Sequence, residues 1–205
     1  MINREDAKRW AVVVAVPVVA YVTGFVALPR PSGVAAEQRE FDRSKLGNAV
    51  TTTPTTPGSV VEITLGSTLV LRGADLPPTS LSRGARLPIA LHFAVPGGNV
   101  SGAEGDWQVF LHIDSENGSY RIHGDHWPVR GLYKTPFWRP GEFIVDKWEG
   151  TVPMDAPAGI YDVYAGLYRG DDRLEVTAGN RQRSPSGGLV VDADDRVRVG
   201  QVTIE

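Results

Sequence analysis

The sequence predicts an all-β chain, an antiparallel β-sandwich carried behind one transmembrane helix and a linker. Three observations lead to that expectation. From Val60 onward, apolar and polar residues alternate in many short runs separated by turn residues. Beyond that point no stretch has a convincing helical period. Near the start, "WAVVVAVPVVAYVTGFVAL" runs from Trp10 to Leu28, nineteen residues without a formal charge.

The apolar run comes first in the chain. At a helical rise of about 1.5 Å per residue it reaches roughly 28 Å, close to the hydrocarbon thickness of a bilayer. Trp10 and Tyr21 suit an interface, and a membrane helix tolerates the kink at Pro17. Arg4, Lys8 and Arg9 precede it, which keeps residues 1–9 in the cytoplasm and sends the rest of the chain outside. A cleaved signal peptide is the competing reading, with small residues at Val34 and Ala36. Such peptides have a shorter apolar region, about 7–15 residues, so length favours an uncleaved anchor over 10–28.

Residues 29–59 read as a linker. The stretch mixes charge, Gly and Pro, and "TTTPTTPGS" from Thr51 to Ser59 is a low-complexity run that favours extended, solvated chain. A short amphipathic helix over 34–46 is an alternative for part of it.

Residues 60–205 form the predicted sandwich. "VEITL" and "TLVLRGA" flank a Gly66-Ser67 turn. "RLPIALHFAV" puts Leu87, Ile89, Leu91, Phe93 and Val95 on one face, and "WQVFLHID" does the same for Trp107, Val109, Leu111 and Ile113. The two runs are expected to form a hairpin, with His92 and His112 on one shared outer face. "EFIVDKWEGTV", "GIYDVYAGLYRG" and "RVRVGQVTIE" supply further strands. "PGGN", "ENGS", "APAG" and "RGDD" between them are turn chemistry. Strands at this spacing suit an immunoglobulin-like or jelly-roll-like sandwich.

Composition narrows the function. Net charge is −3 with Lys and Arg scattered, so nothing resembles a nucleic-acid-binding stripe. The absence of Cys excludes disulfides, thiol catalysis and Cys-ligated zinc. Phosphate-binding glycine motifs and the Ser nucleophile elbow are missing. Ser115, Asp114 and His112 are too close in sequence to converge as a triad. The pairs Asp171/Asp172 and Asp194/Asp195 sit in turns, where Asp bonds its own backbone.

The segment "HGDHWPVRGLYKTPFWRPGE", His123 to Glu142, concentrates the remaining chemistry. Trp127, Tyr133, Phe137 and Trp138 can offer aromatic faces to a sugar ring, while Arg130 and Arg139 hold its hydroxyls. These six are the candidate ligand-binding residues. The competing reading folds the rings inward to cap the sandwich, and it is favoured for any single ring. Asp125 is expected to be a structural polar anchor, taking hydrogen bonds from loop amides or from His112. His112, His123, Asp125 and His126 form the alternative metal set. Imidazole and carboxylate suit zinc-type ions, although the spacing fits no helical metal motif.

The domain also resembles a known family. "LVLRGADL", "VFLHID", the "GD" before "PVRGLYKTPFWRPGEFIVD", and "VPMDAPAGIYDVYAGLYRGDDRLEV" occur here in that order. This order is similar to the exported C-terminal β-sandwich region of bacterial multi-spanning glycosyltransferases that use lipid-linked sugars. The resemblance covers Val60 to Glu205. Lys134 departs from it, standing where the pattern usually has Pro. The polytopic catalytic part is absent and a single anchor takes its place, so glycosyl transfer is not carried over. The resemblance implies a domain outside the cytoplasm, on the inner membrane.

The functional expectation is a single-pass, membrane-anchored, extracytoplasmic module without enzymatic activity or cofactor, binding envelope glycan or a partner protein. The alternative is a metal-dependent hydrolase or lyase built on the His cluster.

Overall fold

The alternation of apolar residues becomes two antiparallel sheets. The computed structural model describes residues 42–78, 80–97, 105–179 and 190–205, without the side chains of 177–179. The expected membrane helix at 10–28 lies outside these residues. Among the described residues no helix is long and apolar enough to cross a membrane.

The strands are β1 (Val50–Thr51), β2 (Ser59–Leu65), β3 (Leu69–Asp75), β4 (Arg86–Ala94), β5 (Gln108–Ser115), β6 (Arg121–His123), β7 (Phe143–Thr151), β8 (Gly159–Arg169), β9 (Asp172–Arg173), β10 (Val176–Gly179) and β11 (Val197–Ile204). One sheet has the order β1-β7-β4-β3-β2-β10, and the other β11-β8-β5-β6, with β9 paired to β8. The long strands stand where the alternating runs placed them. The fold is all-β and sandwich-like.

The expected inward faces are buried. Leu87, Leu91, Phe93, Val109, Leu111, Ile113, Tyr161, Val163, Ala165 and Leu167 are all at 0 % exposure. Their alternation on β4, β5 and β8 therefore reports the core face in the right register. At about 25 cal/mol per Å² these side chains supply most of the force that holds the sheets together.

One pairing expectation fails. β4 and β5 are not a hairpin: β4 pairs with β3 and β7, whereas β5 pairs with β6 and β8. The chain crosses between sheets after Val95. Alternation marks which side of a strand is apolar, but it is blind to which sheet the strand joins. His92 and His112 consequently stand on different sheets. His92 meets Thr55 Oγ1 and Asp75 Oδ2, each at 2.9 Å.

Part of the expected linker is built onto the first sheet. Val50 and Thr51 pair with Ile144 and Phe143, and the Thr55 carbonyl accepts from Arg72 at 2.5 Å. Arg43 forms an ion pair with buried Glu142. The Thr/Pro run has low helix propensity, and an exposed sheet edge gives such extended chain somewhere to pair.

Candidate functional site

The segment from His123 to Glu142 connects the two sheets, running from β6 to β7, and it is held by polar contacts. Gly124 N–H donates to the Leu111 carbonyl at 2.7 Å, and the His126 N–H donates to the Val109 carbonyl at 2.9 Å. The Gly124 carbonyl instead accepts from His126 Nδ1 at 2.6 Å. The Leu111 N–H donates to Asp125 Oδ1 at 3.0 Å. The Asp125 carboxylate thus satisfies a strand amide that the bent backbone leaves without a carbonyl. Burial disfavours its charge, but the hydrogen bonds with His112 and Leu111 outweigh that and lower its pKa.

His126 reaches a second carboxylate. Its Nε2 lies 2.8 Å from Asp146 Oδ2, and Asp146 is fully buried. Asp146 Oδ1 accepts from the Val129 N–H at 2.7 Å. Both His126 nitrogens therefore face acceptors, Asp146 and the Gly124 carbonyl. Only the imidazolium satisfies both. Burial opposes the charge, yet the hydrogen bond and the charge of Asp146 prevail and raise the His126 pKa.

Asp146 also fixes an unusual turn. Val129 and Arg130 have φ of 51° and 56°, and Gly131 follows at 80°. Left-handed backbone suits Gly, but for a β-branched Val it costs about 1–3 kcal/mol. The buried carboxylate offsets that cost by holding the Val129 amide. Such local strain is characteristic of binding sites.

The sequence-derived aromatic shelf separates into two groups. Tyr133 is at 0 % exposure and Trp138 at 3 %. The Tyr133 hydroxyl lies between the Phe137 carbonyl at 2.6 Å and Glu142 Oε2 at 2.5 Å, and Arg43 donates to it at 2.9 Å. Trp138 packs on Phe93 with ring centroids 5.4 Å apart, and its Nε1 donates to the Tyr133 carbonyl at 2.9 Å. Neither ring can stack on a ligand. Both were candidate ligand residues, and both belong to the interior because a long irregular connection needs apolar anchors to be ordered. Phe137 is half-buried and Arg139 is exposed, and neither lines the groove described next.

Trp127 and Arg130 do line it. This groove of about 920 Å³ is bounded by Leu76, Pro88, Trp127, Arg130, Lys147 and Trp148 among others. Lys134 Nζ stands 4.5 Å from the Trp127 ring centroid and 2.7 Å from Asp106 Oδ2. Lys134 therefore buttresses one face of that indole. Arg86 and Glu149 form an exposed ion pair at the groove.

Trp148 is the residue that sequence reasoning missed. It lies on the inward side of β7, paired with Ile89, so alternation assigns it to the core. It is nevertheless half-exposed in the groove. Two glycines make room for it. A Cβ on Gly124 would stand 2.8 Å from the Trp148 ring and 2.9 Å from Leu111, and one on Gly150 would run into the same indole. A Trp two residues before a Gly on one strand face was the available signal.

The metal set also separates. One ligand atom from each of His112, His123 and Asp125 lies within 4.8 Å of the others. His126, held by Asp146 and Gly124, is not among them. Its nitrogens already have partners, which is the physical reason it leaves the set.

Comparison with known proteins adds no assignment: no family model matches the chain, and no curated protein does.

Proposed function

We propose that this chain is a non-enzymatic envelope module that binds a glycan in the groove between Trp127 and Trp148. It is held at the bacterial inner membrane by one uncleaved helix over 10–28, with the β domain outside the cytoplasm. The strands connect in an immunoglobulin-like or jelly-roll-like manner. One observation carries the reading: a groove of about 920 Å³ brings two indoles together with Arg130 and Lys147. That size falls within the about 300–1,000 Å³ typical of small-molecule sites. Apolar sugar faces stack on indoles, while guanidinium and ammonium groups take hydroxyl or acidic substituents. The strained, carboxylate-held turn at Val129–Arg130 supports it, since it preorganises Arg130 at the rim.

A glycan-array screen with the detergent-solubilised full chain tests the proposal. The wild type should retain envelope-type saccharides, and Trp127→Ala should lose them while folding normally. Equal retention by the two proteins, or none by the wild type, would reject the groove as a saccharide site.

A further inference from the structure

The outer face of the second sheet carries a separate cluster. His112 on β5 and His123 on β6 are direct cross-strand partners. Their rings stand 5.3 Å apart, edge to face. Asp125 lies two residues beyond His123, and its Oδ1 is 3.5 Å from His112 Nε2. We propose that His112, His123 and Asp125 form a binding site for a divalent transition-metal ion of the zinc type. This inference does not rest on the saccharide reading.

Three features support the assignment. The first is geometry. The three ligand atoms lie within 4.8 Å of one another, whereas a tetrahedral ion with bonds of about 2.0–2.1 Å holds its ligands about 3.4 Å apart. His123 and Asp125 are exposed and free to close that gap by small rotations, while buried His112 is the fixed point.

The second is an unmet need. His112 is 7 % exposed, and the nitrogen that faces the cluster, Nε2, comes no nearer to Asp125 than 3.5 Å. Buried polar atoms are otherwise satisfied almost without exception. A cation on Nε2 gives that nitrogen a closer partner than the carboxylate does.

The third is an open side. A pocket of about 270 Å³, lined by Phe110, His112, Asp125, Tyr168, Asp171 and Arg173 among others, lies beside the cluster. Three protein ligands with an open position are the pattern of sites that keep water or an exogenous ligand on the metal. The Leu111 N–H on Asp125 Oδ1 supplies the orienting contact that metal carboxylates normally have.

The test uses the full chain, stripped with chelator and titrated with Zn²⁺ by calorimetry and with Co²⁺ by visible absorption. One ion should bind per chain in the micromolar range or tighter, and Zn²⁺ should raise the melting temperature. His123→Ala and Asp125→Asn each remove a ligand, so each should weaken binding by at least the about 10–100-fold that loss of an outer-shell partner costs. His123 is exposed, so its variant keeps the fold and isolates the metal effect. Absence of Zn²⁺ heat and of a Co²⁺ spectrum in the wild type would overturn the proposal. Equal affinity in the wild type and both variants would do the same.

Discussion

The His126–Asp146 pair yields a prediction with a definite sign and size. Asp146 is fully buried and holds two donors, the Val129 amide at 2.7 Å and His126 Nε2 at 2.8 Å. Asp146→Ala leaves both donors buried without partners. At about 1–3 kcal/mol for each orphaned donor, the loss comes to about 2–6 kcal/mol. For a chain of this size about 2–4 °C is lost per kcal/mol, so the melting temperature should fall by roughly 5–20 °C. Asp146→Asn behaves differently. Its carbonyl still takes the Val129 amide, and its amide group donates to a neutral His126 that keeps its Nδ1 proton on Gly124. The Asn variant should therefore fold but lose the pH response. That response follows from the raised His126 pKa. The protonated pair stabilises the fold fully below the ordinary value of 6.5, and this contribution fades as pH rises through the higher folded value. Urea unfolding followed by tryptophan fluorescence, from pH 5.5 to pH 9, measures both effects. Parallel stability profiles for wild type and Asp146→Asn, or a loss under about 1 kcal/mol in Asp146→Ala, would refute the reasoning.

Three further outcomes are expected. Leu111→Ala should cost about 2–5 kcal/mol by chemical denaturation, since the side chain is fully buried; a loss near zero would place the β5 register off by one residue. Tyr133→Phe should cost about 1–3 kcal/mol, because removal of the hydroxyl takes a charge-assisted hydrogen bond from the Arg43–Glu142 pair, and an unchanged melting temperature would contradict that role. In a topology assay, alkaline phosphatase fused to the C-terminus should be active and a cytoplasmic fluorescent reporter dark; the reverse pattern would place the domain in the cytoplasm.

The sheets were legible because a period of two survives in single strands. Leu87, Ile89, Leu91 and Phe93 declare their face without knowledge of any partner. The pairing of strands was not legible, and the expected β4–β5 hairpin failed for that reason. Nor were β1, β6, β9 and β10, which span two to four residues and pair only because an edge is available. In the crossover segment, composition marked the right twenty residues without marking directions. Tyr133 and Trp127 stand six positions apart on irregular backbone, where no period says which ring turns inward. The contacts that separate them come from Arg43, Glu142 and Lys134. Of these three, Arg43 lies far outside those twenty residues. His126 is a similar case: its partner Asp146 is twenty residues away on another strand, and only the fold brings them together.

Fluorine NMR of protein labelled with 5-fluorotryptophan tests the saccharide groove most directly, because groove tryptophans and buried tryptophans report separately. Trp127 and Trp148 line the groove, whereas Trp107 and Trp138 are buried at 7 % and 3 % exposure. Assignment follows from single Trp→Phe variants. Titration with envelope glycan fragments should move the Trp127 and Trp148 resonances together and leave those of Trp107 and Trp138 in place. Unmoved groove resonances under saturating glycan, or movement confined to other tryptophans, would contradict the account.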